Sequence, residues 1–444
     1  MQDLTTGSLT GHLLKTTSFM LVSMIFQTLY VLVDLYWVSS LGTDAIAAVG
    51  VSGNLSFIVL AISQVLGVGA TTLVSHASGK KEHSEAIFLF NQSQVLSLTA
   101  GVLFLGIAMA TRLSYASALS ADARTMELAG QYLLWFIPAM ALQFAMVAMG
   151  SALRGTGNFK VGMIVQTGTV ILNMILAPVL IFGWGTGRPM GVTGAAVSTF
   201  VAIVIGVVWI SIYFLDKEAY LRFRFSDWTP KFDVWVRMLK IGLPAGAEFA
   251  LMGVSLIVVY AISKPFGAAA QAGFGIGFRV VQAAFLPVVA LGFAVAPVAG
   301  QNFGAKKHDR VMEAFRAAVS IAFGAMLVIS IVIYFLAARM VAMFSTDPAV
   351  IRVGVEYLQI VAFSFAMSGI TFVTGSMFQA MGNTIPSLVT SCVRIFVSLV
   401  PAVLLSRVAG FELRWVWYLS VAAVVAQMTL NLILLRREFR LRLA

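Results

Sequence analysis

Long, uninterrupted apolar stretches recur along this chain and constrain its fold more than any other feature. Examples are residues 19–33, 161–181, 192–215, 321–335 and 416–435. With its short polar ends, each stretch reaches the roughly 20 residues that a helix needs to cross a bilayer. Membrane strands would instead alternate apolar and polar residues over about ten positions. Since 60% of the residues are hydrophobic and only 11% are charged, the composition excludes a water-soluble globular protein.

Counting the stretches between charged or glycine- and proline-rich breaks predicts twelve membrane helices in an all-α, multi-pass membrane protein. Most of the 29 Lys and Arg residues fall in segments on the same side as the N-terminus, which predicts that both termini are cytoplasmic. The first stretch lacks the cleavage site of a signal peptide, so we expect it to stay in the membrane. The predicted helices are centred near residues 28, 60, 99, 139, 172, 203, 252, 286, 326, 365, 397 and 425.

The two halves of the chain resemble each other at a constant offset of 225 residues, without gaps, which indicates an internal duplication. We therefore expect a lobe of six helices at residues 1–215, a second at 238–444, and a polar interfacial linker at 216–237. Six crossings return the chain to its starting side, so a pseudo-two-fold axis along the membrane normal should relate the lobes. Matched residues include Gly42 with Gly267, Gly79 with Gly304, Asp122 with Asp347, and residues 150–158 with 375–383.

Asp34 is the strongest candidate functional residue, because an ionisable group inside a membrane helix costs about 2.5–3.5 kcal/mol on insertion scales. Gln27, Tyr30 and Asp34 share one face of the first helix, which we expect to line a cavity between the lobes. A carboxyl group there can take up a proton on one side of the membrane and release it on the other. The alternative is a carboxylate that is only hydrogen-bonded within the bundle. The residue matched to Asp34 is Val259, whereas a purely architectural acid would be expected in both halves.

Five other polar residues are candidates with more than one interpretation. Glu248 lies near the start of the seventh helix, and its three interpretations are a gate residue, an interface contact and an ion-coupling residue. Arg279 and Arg394 either pair with acids and carbonyls or contact the substrate. Gln64 of the second helix is a candidate for the substrate cavity or the gate. Asn173 precedes a helix-bending proline, where an amide can bind an ion, although most such amides pack helices together.

Several classes of protein are excluded. No GxxxxGK[ST] element is present, so the chain holds no ATP motor and an ion gradient should supply the energy. Cys392 is the single cysteine and the four histidines do not cluster, so we expect no disulfide, metal site or cofactor. Membrane enzymes such as prenyl transferases show clustered aspartates or histidines, which are absent. The net charge of +11 lies mainly in the predicted cytoplasmic segments and does not indicate nucleic acid.

Several short motifs occur along the chain, and their combination is far more specific than any one of them. They are Gln27-x-x-Tyr30-x-x-x-Asp34, Leu41-Gly42, residues 47–50, Leu153-Arg154-Gly155-x-Gly157-Asn158, Gly242-Leu243-Pro244 and Gly300-Gln301-Asn302-Phe303-Gly304. With these motifs the chain resembles, from about residue 10 to residue 436, the multidrug and toxic compound extrusion (MATE) family. The resemblance implies a two-lobed antiporter of the prokaryotic inner membrane, closer to the DNA-damage-inducible (DinF-like) branch, which exchanges protons or sodium for amphipathic cationic drugs.

The resemblance also implies an ion site in the first lobe, formed by Asp34 and accompanied by Asn173. Many members of the branch carry an acid four residues after the asparagine, where this chain has Ala177. The tenth helix also lacks the acids of the NorM-like branch. One remaining carboxylate favours proton coupling, and a sodium ion near Asp34 is the alternative.

Two other functions stay open beside drug export. A lipid-linked saccharide flippase of the wider superfamily would have about fourteen spans and more cations in its cavity, by resemblance to those proteins. A passive channel would be ruled out by transport against a substrate gradient. For the drug exporter we expect small-molecule substrates and membrane lipid as partners, no nucleic acid, and a functional monomer, since both lobes face one cavity.

Overall fold

The computed structural model describes residues 2–120, 122–185 and 187–443, and these residues form helices and turns without a strand. Two short 3-10 turns, Phe225–Asp227 and Lys264–Phe266, flank the seventh helix. Within the described residues the α-helices are α1 (Leu9–Ser39), α2 (Thr43–Gly79), α3 (His83–Leu119), α4 (Ala123–Gly155), α5 (Phe159–Phe182), α6 (Gly191–Leu215), α7 (Phe232–Ser263), α8 (Ala268–Gly304), α9 (His308–Ala342), α10 (Pro348–Ala362), α11 (Phe365–Ala380), α12 (Ile385–Leu405) and α13 (Arg414–Arg442).

Among the described residues, eleven helical segments are long and apolar enough to cross a membrane, and the bent pair α10 and α11 gives a twelfth when it is counted as one broken span. The axes of α10 and α11 differ by 57°. At this break the hydroxyl of Ser330 donates a 2.7 Å hydrogen bond to the carbonyl of Ala362, which keeps the end of α10 satisfied in an apolar setting. Each of the twelve predicted centres lies inside its own crossing, so the predicted multi-pass, all-helical membrane fold is confirmed.

Helix bounds in the two halves agree to within two residues at the offset of 225 residues. Helices α2 and α8 begin and end at matched residues, and α4 spans the residues matched to α10 and α11 together. The connecting turns coincide as well, because residues with positive φ recur in matched pairs. These pairs are Gly42 with Gly267, Lys81 with Lys306, Gly157 with Gly382, and Gly185 with Gly410.

Matched aspartates cap matched helices. Asp122 accepts a 2.8 Å hydrogen bond from the backbone N–H of Thr125 at the start of α4. Asp347 accepts one of the same length from the N–H of Ala349 at the start of α10. The donors at Thr125 lower the pKa of Asp122, because they stabilise its charged form. The recurrence of these aspartates in the sequence therefore reflects N-capping, which typically stabilises a helix by about 1 kcal/mol.

Two compact units emerge from the contacts, and their limits differ from the predicted lobes. Unit 1 comprises Met1–Asp3 and Ser18–Gly246, and unit 2 comprises Leu4–Thr17 and Ala247–Ala444. The first turns of α7 belong to unit 1 because their apolar side chains enter its core, as Met238 does. Likewise, the first turns of α1 belong to unit 2, where Leu9 and Leu13 are fully buried. Apolar burial, rather than the position of the linker, sets these limits.

The segment between α6 and α7 is held in unit 1 by two amides of α3. Gln92 bonds the backbone of Asp227, Thr229 and Lys231 at 2.6–2.9 Å. Oδ1 of Asn91 accepts hydrogen bonds from the backbone N–H of Arg224 at 3.0 Å and from the indole N–H of Trp228 at 2.8 Å. Because these amides are buried and most of their hydrogen bonds reach backbone groups, they fix the path of the segment. Its predicted position along the cytoplasmic interface stays a prediction.

Candidate functional site

Asp34 lies in the second half of α1, within unit 1, and its Oδ1 atom is buried without a hydrogen-bond partner. Tyr30 stands one helical turn earlier, and Tyr132 of α4 is also within electrostatic range of the Asp34 carboxylate. A buried carboxylate oxygen that lacks a donor is costly when the group is charged. This position therefore favours the binding of a proton or a cation to Asp34.

Thr199 of α6 connects the candidate residues of α1 and α5. Its Oγ1 lies 3.3 Å from the hydroxyl oxygen of Tyr30 and accepts a 3.1 Å hydrogen bond from Nδ2 of Asn173. The Thr199 hydroxyl donates its own proton to the carbonyl of Ala195 at 3.1 Å. Since Thr199 has one proton to give, Tyr30 is the donor in the contact between the two hydroxyl groups. The network fixes side chains from three helices of unit 1.

Asn173 provides a second buried oxygen without a partner, its Oδ1 atom. The side chain is only 4% exposed, and its Nδ2 is engaged by Thr199. An amide oxygen can only accept hydrogen bonds or coordinate a cation. The network thus contains the unpartnered amide oxygen of Asn173 and lies beside the unpartnered carboxylate oxygen of Asp34. The carboxylate can bind a proton, and both oxygens can coordinate a hard cation. No cluster of three His, Cys, Asp or Glu side chains occurs in the described part of the chain.

Two residues around this network limit what it can bind. Ala177, one turn after Asn173, is 1% exposed and adds no oxygen ligand. Gln27 is exposed, and in the described part of the chain it makes no hydrogen bond. The structure therefore brings Asp34, Tyr30 and Asn173 together but leaves Gln27 outside the network.

The network has no counterpart in unit 2. Tyr357, matched to Tyr132, packs instead against Phe274 and Trp417, with ring centroids 5.2 and 4.8 Å away. The other matched residues are Ser255 for Tyr30, Val259 for Asp34, Ser398 for Asn173 and Val424 for Thr199. None of them carries a carboxylate or an amide side chain, so the site belongs to one half of the duplication.

Unit 2 contains a separate pair of charged residues, Glu248 of α7 and Arg394 of α12. They lie near enough for their charges to attract each other, and Ser387 of α12 lies close to the Glu248 carboxylate. Both charged side chains are half-buried. Arg279 is instead exposed on α8, and Gln64 is half-buried on α2 of unit 1. The charges of Glu248 and Arg394 therefore attract each other, and Arg279 takes no part in this pair.

Sequence reasoning missed Thr199 and Tyr132. Thr199 lies in the apolar α6, where a threonine usually bonds a carbonyl of its own helix, as this one does. Tyr132 has an identical matched residue, Tyr357, which gives no sign of a role in only one half. The available signal for Thr199 was a hydroxyl group in the mainly apolar α6 at a position where the matched residue, Val424, carries none.

Comparisons with known sequences identify the family. The MatE family profile matches residues 20–179 and 244–404, one match in each half. Multidrug export protein MepA of Staphylococcus aureus strain MRSA252 is 26% identical over 365 residues, which cover 82% of this chain and 80% of that protein. Multidrug export protein MepA of Staphylococcus haemolyticus strain JCSC1435 is 26% identical over 366 residues, with the same coverage.

Comparisons with solved structures concern the fold alone, because the identities are low. A MOP superfamily transporter from Pyrococcus furiosus is 22% identical and superposes with a TM-score of 0.91, covering 99% of this chain and 97% of that one. A multidrug resistance MATE family transporter in an outward-facing conformation is 23% identical, with the same TM-score and coverage. The family profile covers most of the chain and the fold agrees with it, so this protein is a member of the MatE family of membrane transporters and is not an enzyme.

Proposed function

We propose that this transporter exports amphipathic, mostly cationic drugs or toxic compounds in exchange for protons, with Asp34 as the proton carrier. The observation that carries the proposal is the buried, unpartnered Oδ1 of Asp34 beside the network of Tyr30, Thr199 and Asn173. A carboxyl group in such a place is stable when protonated and costly when charged. Its affinity for a proton can therefore differ between conformations that face opposite sides of the membrane.

The number of available oxygens supports a proton over sodium. Both hydroxyl groups of the network are engaged in hydrogen bonds, which leaves the oxygens of Asp34 and Asn173 as the main ligands. A dehydrated hard cation needs a shell of several oxygens, whereas a proton needs one. Sodium coupling stays the alternative, with the same residues as its ligands.

The substrate class rests on relatives and composition. The matched staphylococcal relatives are multidrug export proteins. The 21 methionines and 33 phenylalanines of this chain can provide an adaptable apolar surface for varied hydrophobic cations. We extend the proposal to alternating access between two lobes related by the predicted axis, in a monomer of the prokaryotic inner membrane with both termini cytoplasmic. Membership of the DinF-like branch and the candidate gate roles of Glu248, Arg279, Arg394 and Gln64 also stay proposals.

The coupling ion is tested by reconstituting the wild-type protein in liposomes with a fluorescent cationic dye. We expect an imposed proton gradient alone to drive the dye against its concentration gradient, and a sodium gradient alone to have no effect. Dye fluorescence is the readout, with empty liposomes as the control. Transport by sodium alone would overturn the ion assignment. Absence of dye transport together with translocation of a labelled lipid-linked saccharide would instead support the flippase alternative.

Thr199→Val is expected to slow proton-driven dye transport by about tenfold. The change removes the group that holds both Tyr30 and Asn173, and a lost buried hydrogen bond costs about 1–3 kcal/mol. Thr199→Ser keeps the hydroxyl and should transport within about twofold of the wild type. Thr193→Val, near the exposed start of α6, is the matched control. Equal initial rates for Thr199→Val and Thr193→Val would show that the network does not hold the coupling site.

A further inference from the structure

Unit 2 contains an apolar cavity of about 610 Å³ at the C-terminal end of α7. Its walls are the last turns of α7, the end of α12 and the turn that follows α12. Ile257, Ile262, Phe266 and Phe411 contribute to the apolar lining, and Arg407 contributes the only charge among the lining residues. The cavity is separate from the Asp34 network, which belongs to unit 1.

The matched place in unit 1 is filled by three aromatic rings. Trp37 of α1 packs against Phe182 and Trp184, with ring centroids 6.0 and 5.9 Å away, and Phe182 lies 5.5 Å from Trp184. In unit 2 an isoleucine, an arginine and an alanine replace these rings, which leaves the space between the helices open. The replacing residues are, in the same order, Ile262, Arg407 and Ala409.

Arg407 brings a free positive charge to this cavity. Its side chain is exposed, and it makes neither a hydrogen bond nor an ion pair with any described residue. The nearby acid Glu412 is already paired with Arg414. Lys264, which is exposed and directly precedes the lining residue Pro265, adds a second cation. An apolar space with uncompensated positive charge beside it favours a ligand that is both apolar and anionic.

We propose that this cavity binds an anionic phospholipid, with an acyl chain on the apolar lining and the phosphate on the guanidinium of Arg407. The ends of the membrane-crossing helices α7 and α12 put the arginine at the depth of lipid headgroups, in the leaflet opposite the start of α7. Arginine binds phosphate through charge-assisted hydrogen bonds, often with two at once. A free inorganic anion would leave the apolar lining unused, and Arg407 would repel a cationic drug.

The proposal is tested on the purified full-length protein by native mass spectrometry after delipidation. The probes are phosphatidylglycerol and phosphatidylcholine with identical acyl chains, each added alone. We expect the wild type to retain phosphatidylglycerol preferentially, and Arg407→Gln to retain about tenfold less of it, the effect of one charge-assisted hydrogen bond. Retention of phosphatidylcholine should not change. Arg339→Gln, which alters an exposed arginine near the end of α9, should behave like the wild type.

A second variant tests the cavity itself. Ile262→Trp combined with Arg407→Phe recreates two rings of the unit 1 cluster and should abolish the preference for phosphatidylglycerol. Size-exclusion chromatography and a melting curve establish that the double variant is folded. Equal retention of the two lipids by the wild type, or equal phosphatidylglycerol retention by Arg407→Gln and Arg339→Gln, would overturn the proposal. Displacement of phosphatidylglycerol by millimolar inorganic phosphate would also overturn it, because the site would then bind a free anion.

Discussion

Asp34→Asn is expected to abolish the accumulation of dye by a proton gradient. An amide cannot take up and release a proton, so the variant loses the energy of the coupling ion. An exchange of one proton for one singly charged dye cation moves no net charge, so the pH difference drives it; one pH unit is worth about 1.4 kcal/mol and sustains a dye ratio of about tenfold. The steady-state ratio of dye across the liposome membrane should therefore fall by about that factor for each imposed pH unit. Fluorescence of the dye at steady state measures it.

Two controls separate loss of coupling from loss of folding. Asp44→Asn alters an exposed acid at the start of α2 in the same unit and should leave the dye ratio unchanged. Asp34→Glu keeps a carboxyl group and should retain part of the proton-driven ratio. The Asn variant should still exchange labelled for unlabelled dye without a gradient, since asparagine has nearly the same size and shape as aspartate. A wild-type dye ratio in Asp34→Asn would place the proton carrier elsewhere in the chain.

The membrane crossings could be predicted from the sequence, because the length of an apolar stretch sets a crossing. The sequence also matched Asp122 with Asp347, and the structure adds that both cap helices. The break between α10 and α11 could not be read in this way. Pro138 lies inside the continuous α4, whereas its matched residue, Phe363, stands at the break. The bend is therefore set by packing and by the Ser330 contact rather than by a proline.

The candidate site was predicted only in part, for a similar reason. Asp34 and Tyr30 are one turn apart, so a helical periodicity brings them together. Thr199 and Asn173 come from other helices, and their 3.1 Å contact depends on how α5 and α6 pack. The same periodicity also predicted Gln27, which the structure leaves exposed. A pattern within one helix fixes which residues share a face, but not which part of that face meets a neighbour.

The two units place different chemistry between matched pairs of helices. In unit 1 the space around α1 and α5 contains the carboxylate of Asp34, the amide of Asn173 and, farther along, a cluster of aromatic rings. In unit 2 the matched helices α7 and α12 hold the charged pair of Glu248 and Arg394 and, farther along, the open apolar cavity. Shared turns and caps preserve the backbone of the duplication, while its inward side chains have diverged. Proton coupling in one unit and lipid binding in the other would be such a division of roles.

Gly242→Ala is expected to lower the melting temperature by about 5–10 °C and to reduce the yield of folded protein. The first turns of α7 approach α2 so closely in unit 1 that a methyl group on Gly242 would overlap the carbonyl of Val65. A backbone carbonyl cannot rotate away as a side chain can, so α7 itself would have to move. Overpacking of this kind costs about 1–3 kcal/mol, and each kcal/mol corresponds to about 2–4 °C in a domain of this size. Detergent-solubilised protein in a thermal unfolding assay gives the measurement.

Gly253→Ala in the same helix is the matched control, because a methyl group there would meet open space. It should leave the melting temperature unchanged or raise it slightly, since alanine favours a helix over glycine. The difference between the two variants isolates the close approach from the helix propensity. If both variants melted like the wild type, the first turns of α7 would not be packed on α2 in the folded protein. The assignment of those turns to unit 1 would then be wrong, and the second lobe would begin near residue 238, as the sequence predicts.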